Sequence, residues 1–160
     1  MRQFSLPFGQ THLSFQIPAY FETDELNPAP APILENPIDK IHQVLKVPLN
    51  KLRYQYLDHS PTIAIAINDK TRPVSTPNPL NVLLEDLDGL GFEREKITLY
   101  VGSGTHTPME PSELPRILSD DILQNYRVVV HDCDKSPMVD LGKTTHQTPI
   151  QINAEFFHNE

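Results

Sequence analysis

The sequence predicts an α/β domain: a short parallel sheet with helices packed across it. Three observations carry that expectation. Thr62–Ile67 is a brief run that is apolar on both faces, as in a parallel strand covered by helices. From Pro61 onward the chain alternates strand, helix, strand, helix, strand. Each of the three strand-like runs is followed at once by a polar cluster, the arrangement in which such sheets carry their ligands.

Taken in order, Phe4, Leu6 and Phe8 alternate before Gly9-Gln10, and Leu13, Phe15 and Ile17 alternate after it, which predicts a β-hairpin with a structural role. Pro18 to Pro37 has neither period and reads as an extended surface connection. Asn36-Pro37 opens a helix by the cap-then-proline rule, with Ile38, Ile41 and Leu45 on one face and Pro48 as its end. After the first parallel strand comes a helix with Asn78 as cap, Pro79 in its first turn, a Leu80, Leu83, Leu84, Leu87 stripe and Gly89 near the C-cap. Ile97–Val101 is the second strand. Ser112–Leu118 is weakly helical, with Pro115 tolerable only in a first turn. Arg127–Val130 is the third strand. Val139–Leu141 and Ile150–Ile152 form a second hairpin, and no terminal element is expected before Glu160. The resulting fold class is a small Rossmann-like, doubly wound parallel sheet with flanking helices and antiparallel edge hairpins.

Composition bounds the function. The chain has 160 residues, 13 Lys and Arg against 21 Asp and Glu, and a formal charge of −8. One domain is the default at this length, with a core large enough to need no metal or disulfide. Scattered cations and a negative balance argue against nucleic acid and favour a small partner. Cys133 is the only cysteine, so no disulfide closes within the chain and a reducing, cytoplasmic setting is expected. The N-terminus lacks a signal-peptide core and no stretch is long enough to span a membrane. The 16 prolines punctuate patterned segments rather than forming repeats.

The polar clusters hold the chemistry. Asn68 to Pro73 follows strand one, Gly102 to Pro108 follows strand two, and His131 to Asp134 follows strand three. Gly102-Ser103-Gly104 can bring backbone N–H groups to an anion, with Thr105 and Thr107 adding hydroxyls. It matches neither a P-loop nor the dinucleotide fingerprint, and the glycines equally suit a plain turn off the strand. His106 behind them is a candidate acid or base. Asp69, Thr71 and Arg72 supply an acceptor, a hydroxyl and a guanidinium fork for a carboxylate or phosphate, or else an Asp69–Arg72 pair serving the turn alone. His131, Asp132 and Asp134 are metal-ligand types without a specific spacing. Cys133 is expected to be inert, and His12, His42, His59, His146 and His158 are read as surface residues. Arg72, His106 and His131 are expected to line one pocket mouth.

Taken together, Asp69-Lys70-Thr71-Arg72-Pro73, Gly104-Thr105-His106-Thr107-Pro108, His131-Asp132, Leu141-Gly142-Lys143-Thr144 to Pro149 and Asn153 resemble the N-terminal domain of the nickel-dependent lactate racemase family, with Pro7-Phe8-Gly9 also similar. The likeness runs from about Phe4 to Asn153, and it makes residues 1–160 one lactate-racemase-like N-terminal domain. It implies a two-domain isomerase that moves a hydride from C2 of a 2-hydroxy acid to a nickel-pincer nucleotide, a pyridinium mononucleotide carrying nickel, and returns it to the other face. His106 matches the N-domain member of the histidine pair that handles the hydroxyl proton. Asp69, Lys70, Thr71 and Arg72 match the loop that touches the cofactor, and Arg72 also matches the arginine that holds substrate. In the family the second histidine, the lysine bonded to the cofactor and the nickel-ligating histidine lie downstream, so this chain is expected to supply no metal ligand, to lack its C-terminal partner domain and to be inactive alone. Two other classes remain as alternatives. One is a non-catalytic module binding a small anion or nucleotide. The other is a hydrolase with Asp69, His106, His131 and Asp134 around a divalent metal.

Overall fold

The computed structural model describes residues 1–47, 62–72 and 77–159; Pro48, His59, Pro61 and Pro73 lie outside them. The chain divides into two units, Met1–Leu34 and Glu35–Glu160.

In the first unit, β1 (Arg2–Phe8) and β2 (Thr11–Ile17) pair antiparallel in the expected hairpin. Gly9 takes φ +59° as the first residue of the two-residue turn, a left-handed value that favours glycine there. Phe4 lies opposite Phe15, and their rings stack with centroids 5.8 Å apart. A cross-strand aromatic pair of this kind adds to ladder hydrogen bonding. The rest of the unit, through Leu34, is extended chain and turn, as its prolines predict.

In the second unit, β3 (Ile63–Asn68), β4 (Ile97–Gly102) and β5 (Arg127–Val130) form a parallel sheet in the order β3-β4-β5. The order advances in one direction across these three strands, and the expected α/β class, a small parallel sheet with helices and antiparallel hairpins, is present. The expected hairpin at the chain's end forms as β6 (Met138–Lys143) and β7 (Pro149–Asn153), a two-stranded sheet of its own.

Residues Ile97, Leu99 and Val101 of β4 are buried beneath Leu80, Leu84 and Leu87 of α2 (Pro77–Gly89) and Ile117, Leu118 and Ile122 of the segment before β5. The other face of β4 carries Tyr100, whose ring meets Phe156 of α4 (Ala154–His158) edge-on at 5.2 Å. Central β4 is therefore covered on both sides, and Ile97 to Val101 are all buried, Thr98 among them.

Helix α1 (Pro37–Lys46) begins after Asn36, but the Asn36 side chain makes no capping bond and no α1 residue is buried. Helix α2 begins at Pro77, one residue before the expected cap Asn78. Its end is a Schellman arrangement: Phe92 N–H reaches Leu87 O at 3.1 Å and Gly91 N–H reaches Asp88 O at 2.9 Å. Gly91, at φ +87°, is the residue that stops the helix, two positions beyond the expected Gly89. The segment after β4 is a 3₁₀ turn, Pro111–Arg116, rather than an α-helix. Pro115 lies within it and has no N–H to offer the preceding turn, so an α-helix cannot propagate. Two short helices escaped the sequence reading. Helix α3 (Asp120–Asn125) is capped by Ser119 and α4 by Asn153. Each is below the length at which a 3.6-residue period becomes visible. Among the described residues, no helix is long and apolar enough to cross a membrane.

Candidate functional site at the carboxyl edge of the sheet

Strand register aligns the ends of the three strands. Asn68 is level with Gly102, and Val101 with Val130, so Asp69, Ser103 and His131 leave the sheet side by side. Parallel strands present their carboxyl ends together, which is why ligands collect at this edge.

Beyond β3 the chain turns sharply, with Arg72 N–H donating to Asp69 O at 3.3 Å. This turn draws Asp69 inward, where its side chain is only 4% exposed. Its Oδ1 accepts both the Thr71 N–H at 3.1 Å and the Thr71 hydroxyl at 2.6 Å. Its Oδ2 lies 2.7 Å from His106 Nδ1. These bonds, Thr71's first and His106's second, hold the Asp69 carboxyl down at about 2 against the desolvation that opposes ionisation.

His106 arrives from the loop after β4. Gly104 sits at φ +58° and His106 N–H closes the turn onto Ser103 O at 3.0 Å. Ser103 is buried, and its hydroxyl has no partner among the described residues. The imidazole stays half exposed. An ionised carboxylate only accepts, so Asp69 selects the tautomer with a proton on Nδ1 and leaves the Nε2 lone pair available. A buried carboxylate orienting an exposed imidazole is a general-base arrangement. It spans 37 residues of sequence.

The other candidates divide. Arg72 is exposed, and no described residue pairs with its guanidinium, so the simple Asp69–Arg72 ion pair does not form. Lys70 is held by Glu113. His131, expected at one mouth with Arg72 and His106, makes contacts of its own with β4 and with Asn153. Its backbone N–H continues the ladder to Val101 O at 3.0 Å, and its Nδ1 lies 3.2 Å from Asn153 Nδ2. His131 instead lines a cavity of about 170 Å³ with Tyr100, Met138 and Phe156. Asp132 is occupied by the Asp134 N–H at 3.0 Å and by Lys135 at 3.3 Å, and these hold its carboxyl below the usual range. The metal-hydrolase alternative needs Asp69, His106, His131 and Asp134 to converge, and among the described residues no such group of three forms. Of the histidines read as surface residues, His12, His146 and His158 are exposed, while half-buried His42 lies 3.4 Å from Asp86. Glu113, on the 3₁₀ turn, is a further charged residue that the structure brings to this edge through Lys70. The Glu110-x-x-Glu113 spacing around Pro111 carries a capping-box signal that could have drawn attention to it.

With this geometry established, similarity to known proteins decides the family. The lactate racemase N-terminal domain model matches residues 8–160. The chain belongs to that family. It is 24% identical over 157 residues to a lactate racemase of Thermoanaerobacterium thermosaccharolyticum, covering 96% of this chain and 37% of that protein. Its fold superposes on the solved lactate racemase apoprotein of the same organism with a TM-score of 0.71 at 22% identity, covering 95% of this chain and 36% of that one. This lactate racemase N-terminal domain thus spans little more than a third of the relatives it matches.

Proposed function

We propose that this domain forms the N-terminal part of a 2-hydroxy-acid racemase or epimerase working with a nickel-pincer nucleotide. The observation that carries the reading is the buried Asp69 carboxylate 2.7 Å from an exposed His106 at the carboxyl edge of the sheet. His106 Nε2 takes the hydroxyl proton of the substrate, and Asp69 steadies the imidazolium that results. Arg72, free of any described partner, grips the substrate carboxylate through its planar fork. When bound, the nickel-pincer nucleotide supplies the acceptor that takes the C2 hydride and returns it.

The donor set suits such a group. Thr71 and Arg72 are exposed on the loop and would face the cofactor, Arg72 offering a cation to its phosphate or to substrate. Asp69 and Lys70, engaged by His106 and Glu113, would shape that loop from behind. The remaining cofactor ligands would come from a further domain, as the 37% share of the matched lactate racemase that this chain covers leaves room for.

The test is to express the full reading frame that encodes this chain with a supply of pincer nucleotide, then to follow enantiomers of 2-hydroxy acids by chiral chromatography. Interconversion by the longer loaded protein and none by the 160-residue chain is expected. Racemisation by the chain alone, or none by the loaded protein across the panel, overturns the reading.

A further inference from the structure

Glu113 lies outside the strand-end loops, yet its carboxylate collects three donors. Oε1 receives Lys70 Nζ and, at 3.4 Å, the Arg116 guanidinium; Oε2 receives the Glu110 N–H at 3.1 Å. The Glu110 side chain in turn receives the Glu113 N–H, closing a capping box around the 3₁₀ turn Pro111–Arg116. That turn is rooted in the core by Met109 before it and Ile117 after it, 5% and 8% exposed, with Leu114 packed against the same cluster. Lys70 is the residue between Asp69 and Thr71. Among the described residues its partner is Glu113, with the two side chains 29% and 21% exposed.

We propose that Glu113 is a positioning residue for the His106 edge: by gripping Lys70 it ties the Asp69–Arg72 loop to a core-rooted turn and keeps Asp69 seated against His106. The assignment takes that edge as the working one, as proposed above. It also makes Lys70 a tether, leaving Arg72 as the loop's cation without a partner among the described residues. A lone exposed ion pair would hold little. Here one carboxylate is fixed by its own backbone cap, so the lysine closes onto a prearranged acceptor and loses less freedom in doing so.

Glu113→Gln separates positioning from charge because the two act in opposite directions on Asp69. With the carboxylate neutralised, Lys70 remains cationic near Asp69, and charge alone would lower the Asp69 titration further. Release of the loop instead weakens the Thr71 and His106 bonds and raises it. The experiment follows the Asp69 carboxyl by carbon-detected NMR in the 160-residue chain. We expect a rise of at least half a pH unit from about 2 in Glu113→Gln, and a smaller rise in Glu113→Asp, which keeps the carboxylate but shortens its reach to Lys70. A titration unchanged or lowered in Glu113→Gln overturns the assignment. Should Glu113→Gln not fold, Glu113→Asp decides, and an unchanged or lowered Asp69 titration in it overturns the assignment. In the full-length loaded enzyme Glu113→Gln should lower kcat more than it raises KM, with Glu113→Asp recovering part of the loss. The carboxyl titration requires no turnover, so failure of the racemase reading and failure of this assignment are distinguishable.

Discussion

Three strand ends of one sheet, furnished with carboxylates and imidazoles in sequence, settle into two different arrangements. After β3 and β4 stand an aspartate and a histidine that meet across 37 residues, and after β5 stand His131 and Asp132, adjacent in the chain. Asp69 is buried and spends its oxygens on Thr71 and His106, which leaves one imidazole nitrogen directed to solvent chemistry. His131 and Asp132 are instead absorbed locally, by Asn153 and by the Asp134 turn with Lys135. The lesson is that residue type at the sheet edge is not enough. A usable base needs a partner that fixes one nitrogen and a loop that exposes the other.

The sharpest way to break this contrast is to truncate both histidines in the loaded full-length enzyme. His106→Ala is expected to cut turnover by about 10²–10⁴-fold while cofactor stays bound. His131→Ala should leave turnover within a few-fold, because its ring serves the β7–α4 junction. Equal losses in the two variants would erase the distinction drawn between the loops.

A smaller effect is expected for Asp69→Asn, with turnover lowered on the order of 10²-fold through loss of the tautomer bias. This variant also carries a pH signature. The folded carboxyl titrates near 2, below its ordinary 3.8. Its ionised form therefore contributes stability that is fully present above about pH 4 and is lost as pH falls through 2, amounting to about 2 kcal/mol. Denaturant unfolding of wild type and Asp69→Asn should differ most at neutral pH and converge in acid. A gap independent of pH would mean that the carboxylate is not held by these bonds.

The smallest expected effect concerns the quiet loop. Asn153 receives the Phe156 N–H on Oδ1 at 3.1 Å, capping α4, and presents its Nδ2 to His131 at 3.2 Å. Asn153→Ala should cost about 1 kcal/mol of stability in thermal or denaturant unfolding without altering His106 chemistry. A change in turnover comparable to that of His106→Ala would show that the β5 end is coupled to the working site.

Much of the fold was legible because it rests on short-range rules. The Ile63–Ile67 run, the leucine stripe of α2 and the alternation of Phe4 to Ile17 each encode an element through periodicity. The exceptions were equally physical. Gly91 rather than Gly89 ends α2, since only the residue that takes the left-handed conformation closes the Schellman bonds. Pro115 keeps its segment in a 3₁₀ turn, and α3 and α4 are too short to show a period.

By itself, then, the sequence determined the strands, the helix that covers them, and the three polar ends brought to one edge, since parallel pairing puts carboxyl termini in line. It also carried the four motifs that mark the family. Only the tertiary structure decided that Asp69 turns to His106 rather than Arg72, that Lys70 belongs to Glu113, and that His131 faces Asn153. Those choices depend on contacts between segments far apart in the chain, where burial and loop direction select one partner among several of the same chemical type.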